Sequence, residues 1–415
     1  MKKDLNIKIG IVGAGPAGLT AADALKSKGY TNITILEKEA QAGGKCRSFD
    51  YEGRYYELGA GVIVANNHTV QKLAKKFGIE VALIDFSRKV TFFDIKTGKA
   101  EKEPSFLEKL NFAKQLFLTY KSLARRYNKI AEVGLSEVNA DLCIPFSEWS
   151  LAHKLDLVAK AFGPFFTGFG YGYFDEIPAA YVLKYYSWHT IRSFMKKAVY
   201  FFPTGIQSLW LTVAKNQHVL YNSVISKVER DRAVKVSTEA GDLHFDKLIL
   251  ACPLDESLKY LDATEEENKM FSKIVYCDYR TYACLIKNFP KQDGYVPGNF
   301  VSTRKGHPVL WYHRYPDSDL YTFYVLGDWK ISDAAVLKNI EQVVKQLGGT
   351  LEEVLHHERW KYFPHVSSEV LKKGFFDQLE ALQGSNNTYF TGELLNLSTV
   401  EYSAEHAANL VKKFF

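Results

Sequence analysis

The chain has 415 residues, 47% hydrophobic and 24% charged, which excludes a disordered or fibrous polymer and allows two or three lobes with ample core. Its net charge of +6 is mild and its lysines are scattered, so no nucleic-acid stripe is expected, though such a surface would suit anionic small molecules or a membrane surface. Five cysteines, an odd number without C-x-x-C spacing, argue against a disulfide framework or a metal site, and no apolar run approaches the ~18 residues of a membrane span.

Residues 8–38 read as one strand–turn–helix–strand unit. Ile9, Ile11 and Val12 form a short apolar run before Gly13-Ala14-Gly15-Pro16-Ala17-Gly18, which fits G-x-G-x-x-G. An amphipathic stretch over 19–28 follows, then a β-rich run at 33–36 that ends on Glu37-Lys38. Gly13 permits the tight turn, Gly15 lets backbone approach a pyrophosphate, and Gly18 lets the helix pack close to the strand. The helix N-terminus offers free N–H groups to the phosphates. Glu37, nineteen residues beyond Gly18, is placed to accept from a ribose diol. Gly43-Gly44-Lys45 then supplies a turn and a cation for the pyrophosphate, a pairing that favours FAD over NAD. The expected fold class is α/β, with a Rossmann-like FAD-binding domain.

Residues 54–58 read as a strand broken by Gly59-Ala60-Gly61-Val62, small residues that would let a flat ring approach the backbone. A helix is expected at 67–77, with Asn67 as its cap, and strand-like runs at 81–93 with Arg88-Lys89 between them. Apolar residues at 107, 110, 113, 116, 117, 120, 123, 124, 127 and 130 predict one long helix with a continuous core-facing side. A further helix is expected over 146–162, capped by Ser147. Then the composition changes: 15 of the 41 residues from 162 to 202 are Phe, Tyr or Trp. Glycines interleave with the rings in FGPFFTGFGYGYF, where they would let rings pack against backbone. Most of these rings are expected in the core; as a group beside a flavin they could wall an apolar tunnel.

From 219 the chain returns to alternating strands, and 246–253 reads as a buried strand ending in small residues that include Ala251. Val224 is placed where an adenine would rest. A second segment outside the FAD domain follows, with helices at 265–274 and 334–347 and strands at 279–286 and 321–326. Residues 387–393 read as a strand ending in Gly392-Glu393, before a helix over 401–412. Thr399 and Val400 stand at the start of that helix, whose dipole would favour charge on a reduced flavin. The expected division is a discontinuous FAD domain (1–65, 200–254, 384–415), a mostly helical lobe (66–199) and an α+β lobe (255–383). A second fingerprint in a strand–helix setting is missing, so no nicotinamide domain is expected.

These motifs resemble the flavin amine oxidase superfamily. GGKCRS at 43–48, YYELGA at 55–60, GFGYGYFDEIPAAYVLKYY at 168–186, YFPHVSSE at 362–369 and YFTGE at 389–393 are more closely similar to its bacterial polyenoic fatty acid isomerases. The resemblance runs nearly the full chain and implies noncovalent FAD and a linoleate-like polyunsaturated fatty acid. Flavin N5 would take hydride from the bis-allylic carbon and return it elsewhere, giving a conjugated diene without net oxidation. No side chain would act as acid or base; ring faces would stabilise the pentadienyl cation. Arg88 matches the carboxylate anchor, Phe194 an aromatic partner at the entrance, and Phe169 an aromatic near the reacting carbons. The stretch LLNLSTVEYS at 394–403 departs from the Gly-containing stretch of that family.

The same scaffold also serves a flavin amine oxidase or a desaturase that uses oxygen. A non-catalytic flavoprotein is a third reading. The expected setting is cytoplasmic and soluble, with no signal peptide, since the chain enters its first strand almost at once.

Overall fold

The computed structural model describes residues 4–85, 90–94 and 96–415. Five short strands form a parallel sheet in the spatial order Val219–Leu220, Ile33–Leu36, Ile9–Val12, Lys247–Leu250, Thr388–Phe390. Their partners come from distant parts of the chain: Ile9 is in register with Ile33 on one side and Lys247 on the other. All four residues of Ile9–Val12 are buried, as a parallel strand covered on both faces requires. The helix Pro16–Ser27 begins with proline at its first turn, where no N–H is lost. The C-terminal helix Val400–Phe414 packs beside it.

A second sheet has seven strands. Thr350–His365 and Val275–Lys287 run antiparallel, followed by Leu320–Leu326, Pro308–Tyr312 and Asp293–Tyr295. Its far edge is Val90–Asp94 and Lys99–Ala100. Asp293 pairs in parallel with Val90, so strands from the segment expected to be mostly helical complete the sheet of the other lobe. The aromatic segment, Phe363 and the inner sides of Val12 and Leu36 share one core.

Three local expectations are corrected. The 107–130 helix is Phe106–Lys114, a π-helical stretch Gln115–Tyr120 and Lys121–Arg126. Leu116 and Tyr120 face the core, but Leu107, Leu110 and Phe117 are exposed; periodicity shows that a helix has an apolar side, not what covers it. The 146–162 helix is two, Phe146–Ala152 and Asp156–Phe166, with Lys154 at φ 56° between them, and Pro145 rather than Ser147 precedes the first. Asn67 does not cap the helix His68–Lys76 with its side chain. Its amide oxygen accepts from Val64 N instead, and the cap is the Glu401 carboxylate, which accepts from Thr69 N and Val70 N, both at 2.8 Å.

Candidate active site

The glycine turn after the first strand is built by close approach. Gly13 has φ 104°, and a Cβ there would stand 2.8 Å from Ala251 O. A Cβ on Gly18 would stand 1.9 Å from Gly13 O, so the helix can enter only with hydrogen at that position. Gly43 N donates to Ala14 O at 3.0 Å, which lays the Gly43-Gly44 turn along the first loop. The two loops touch through bare backbone: an added Cβ on Gly15 would stand 3.8 Å from Gly44 Cα, and one on Gly44 would stand 3.2 Å from Gly15 Cα. Pro16 borders this contact, and Ala14 and Ala17 are buried beneath it.

The Glu37 carboxylate is buried under the same turn. It accepts from Ala14 N at 2.7 Å and from Glu39 N at 3.0 Å. Its backbone carbonyl accepts from Ser223 N, which brings the exposed Val224 beside it. Lys38 points to solvent.

Lys45 and Glu393 lie far apart in sequence and form an ion pair at 2.8 Å, each about a quarter exposed. The cation and the acid expected to serve the cofactor therefore neutralise each other here. Gly59 is pinned on the Lys45 carbonyl, where a Cβ would stand 1.8 Å away, and Ala60 N donates to the same oxygen at 3.3 Å. Gly61 and Val62 continue this half-buried strip. An added Cβ on Gly392, at φ 118°, would stand 4.0 Å from Ala17 Cβ. Thus the fingerprint, Gly43-Gly44-Lys45, residues 59–62, Ala251 and Gly392-Glu393 converge on one place.

The C-terminal helix closes it. Thr399 caps the helix by accepting from Tyr402 N at 3.0 Å, and Val400 is half-buried behind it. The preceding Ser398 carbonyl accepts from Tyr171 Oη at 3.3 Å and Tyr362 Oη at 3.4 Å. Ser398 Oγ itself is buried with no partner among the described residues. A bare-backbone surface for a pyrophosphate, an acid at the end of the second strand, and an orphaned hydroxyl at a helix start are the features that FAD needs. The residues fit the group.

Tyr171 and Tyr362 were not singled out in the sequence. Their signals were the FGYG and KYF stretches, but neither says where a ring will land. Tyr362 leads away from the dinucleotide motifs. Lys45 Nζ lies 5.5 Å from its ring. From there rings touch in series: Tyr362–Tyr279 at 5.3 Å, Tyr279–Tyr324 at 6.0 Å and Tyr324–Tyr312 at 5.5 Å. The run continues through Tyr312–Tyr295 at 6.5 Å and Tyr295–Phe165 at 6.0 Å. Phe165 then holds both expected substrate aromatics, Phe169 at 5.7 Å and Phe194 at 5.5 Å. Arg88 lies outside the described residues.

The glycines of this region serve that run. Gly170 has φ 87°, and a Cβ would stand 2.7 Å from the Tyr279 ring. Burial raises the Tyr171, Tyr279, Tyr312 and Tyr362 phenols well above their ordinary range. The wall is therefore neutral: Tyr279 Oη donates to Gly168 O at 2.7 Å and Tyr324 Oη to Glu57 O at 2.9 Å, while the Tyr295 and Tyr312 hydroxyls pair with each other at 3.1 Å. A separate cleft of about 140 Å³, lined by Tyr173, Tyr276, Asp278, Lys305 and Trp329, shares no residue with the predicted set.

His406 ties the C-terminal helix to the strand before Gly392. Its Nδ1 lies 3.0 Å from Thr391 Oγ1, and burial, reinforced by Lys184 and Lys413, pulls the imidazole from 6.5 down to about 3. The unfolded chain takes up that proton first, so stability is present above about pH 6.5 and is lost as pH falls toward 3. Urea titrations should show a loss of at most about 1.4 kcal/mol per pH unit from this group in that window. His406→Gln should remove that part of the slope; an unchanged slope would assign it elsewhere.

Residues 16–407 match the family model for flavin containing amine oxidoreductases. A crystal structure of a CLA-producing fatty acid isomerase from P. acnes superposes with a TM-score of 0.93 at 32% identity, covering 100% of both chains. A polyenoic fatty acid isomerase of Ptilota filicina is 25% identical over 207 residues, 44% of this chain and 41% of that protein. The FAD-dependent oxidoreductase oblC of Cochliobolus heterostrophus is 24% identical across 92% of this chain and 85% of its own length. Putrescine oxidase bound to putrescine, at 14% identity and a TM-score of 0.72, shares the fold.

Proposed function

Because the chain belongs to the flavin containing amine oxidoreductase family and is an FAD-dependent enzyme, we propose that it shifts a double bond of a polyunsaturated fatty acid to give a conjugated diene. The observation that carries this reading is the run of neutral rings from Tyr362, beside Lys45, to Phe194. An acyl chain needs a long apolar wall, and this one reaches from the cofactor motifs to a half-buried aromatic.

FAD bound along the glycine loops supplies a two-electron acceptor that can return what it takes. The chain's own residues do the rest. The Lys45–Glu393 ion pair ties the Gly43-Gly44-Lys45 turn to Gly392-Glu393, and the start of the helix Val400–Phe414 offers its dipole. Ring faces along the wall, Phe169 among them, stabilise positive charge on a diene by about 1–2 kcal/mol each when desolvated. The phenols stay protonated, so the wall abstracts no proton. Phe194 shapes the outer end. We assign the carboxylate anchor to Arg88, and a cytoplasmic setting accords with five free cysteines.

Anaerobic incubation with linoleate should raise absorbance in the conjugated-diene band, and oxygen should not be consumed when air is admitted. Stoichiometric oxygen uptake without diene would overturn the reading in favour of an oxidase or desaturase. Arg88→Ala should weaken binding of free linoleate by roughly 1.5–3 kcal/mol, the scale of a charged hydrogen bond. Acid and methyl ester should then bind alike; a variant that still prefers the acid has its anchor elsewhere.

A further inference from the structure

The helix that begins at Phe106 carries an apolar side that the described residues leave largely exposed. Ser105 and Glu108 start it with a capping box. Phe106 is 83% exposed, Leu107 64%, Leu110 55%, Phe117 41% and Leu118 65%. At about 100° per residue these five fall within roughly one third of the helix circumference. Leu116 and Tyr120 occupy the opposite, buried side. The Gln115–Tyr120 stretch is π-helical, which widens one turn by a residue and keeps both faces in phase.

Cations are interleaved with these residues. Lys114 and Arg125 are exposed and form no ion pair among the described residues. Lys121 Nζ sits 5.2 Å from the Trp188 ring. The one acid of the first turn, Glu108, is engaged with Ser105. Phe117 meets Trp188 edge-on at 5.9 Å. Trp188 opens the helix Trp188–Met195, whose other end carries Phe194 and Met195, the latter 53% exposed. The uncovered side is thus continuous with the outer end of the ring run.

We propose that this face docks the protein on an anionic lipid surface, with the 106–126 helix lying in the interface. Phe and Leu enter the headgroup boundary while Lys and Arg meet anionic headgroups. A second copy of the chain suits the face less well. A two-fold pairing sets a patch against itself, which would oppose Lys114 and Arg125 with the same cations. Docking places Phe194 toward the source of an apolar substrate, yet it stands on the exposed face alone and does not need the fatty-acid reading.

The test is co-sedimentation of the FAD-loaded protein with vesicles of phosphatidylcholine, with and without about one quarter phosphatidylglycerol. The protein should pellet with the anionic vesicles and partition roughly tenfold less onto the neutral ones. Leu107→Ser/Leu110→Ser/Leu118→Ser should lower anionic partition at least about tenfold. The charge variant Lys114→Glu/Arg125→Glu should do likewise. Both variants should keep the flavin absorbance and melting midpoint of the parent, since all five sites point to solvent. Protein left in the supernatant with both vesicles would overturn the proposal, as would equal binding to neutral vesicles or variants that pellet like the parent. Sedimentation velocity showing a dimer that the serine variant dissociates would also overturn it and give the face to a second copy.

Discussion

Gly15→Val should give a folded protein that purifies without flavin colour. Gly15 has φ −80° and ψ −177°, extended backbone that valine adopts freely. Its added Cβ would meet only Gly44 Cα at 3.8 Å, an ordinary contact. The fold therefore does not need glycine there. What needs it is the group that must lie along the two bare loops, and a valine side chain would stand on that surface. FAD affinity should fall at least about a hundredfold, close to 3 kcal/mol, with the melting midpoint of the flavin-free protein unchanged. Gly18→Ala is the control of opposite kind. Its Cβ would stand 1.9 Å from Gly13 O, so it should fail to fold. A yellow Gly15→Val protein of unchanged affinity would remove the bare surface of these loops from the cofactor site.

Much of the cofactor side was legible because its constraints are local. A turn that brings Gly18 against Gly13 O admits only glycine, and a strand buried on both faces must be apolar, as Ile9 and Ile11 are. The same reasoning failed where the partner is distant. Asn67 stands at a helix start and looks like its cap, but Glu401 arrives from the C-terminal helix and takes Thr69 N and Val70 N. Lys45 and Glu393 each read as a cofactor contact, and neither suggested the other as its partner. Leu107 and Leu110 fit a buried stripe by spacing, yet burial depends on what packs above them. Tyr362 and Tyr279 stack because two strands of one sheet align their residues, Tyr279 with Trp360 and Cys277 with Tyr362, a register that composition does not contain. Phe169 and Phe194 came from resemblance; the ring that joins them, Phe165, lay in the same aromatic segment without any local mark of its role.

Gly170→Ala should do the reverse of the Gly15 change: keep the flavin and lose the diene. Gly170 sits at φ 87°, where alanine costs about 1 kcal/mol. Its Cβ would also stand 2.7 Å from Cγ of Tyr279, and displacing a packed side chain costs typically 1–3 kcal/mol more. The total loss of stability should be about 2–4 kcal/mol, measurable by urea titration. The ring cannot yield freely. Tyr279 Oη donates to Gly168 O at 2.7 Å, and the ring stacks on Tyr362 and Tyr324. Moving it interrupts the wall at the second ring from Lys45, while the Gly15 and Gly44 loops stay intact. Diene formation should therefore fall at least about tenfold, the rate equivalent of 1.4 kcal/mol, in a protein that remains yellow. Tyr279→Phe separates ring from hydroxyl. It removes one hydrogen bond worth about 1 kcal/mol, leaves the ring in place, and should turn over like the parent. If the phenylalanine variant is as impaired as Gly170→Ala, the hydroxyl acts in the reaction and a wall of neutral ring faces is the wrong description of this site.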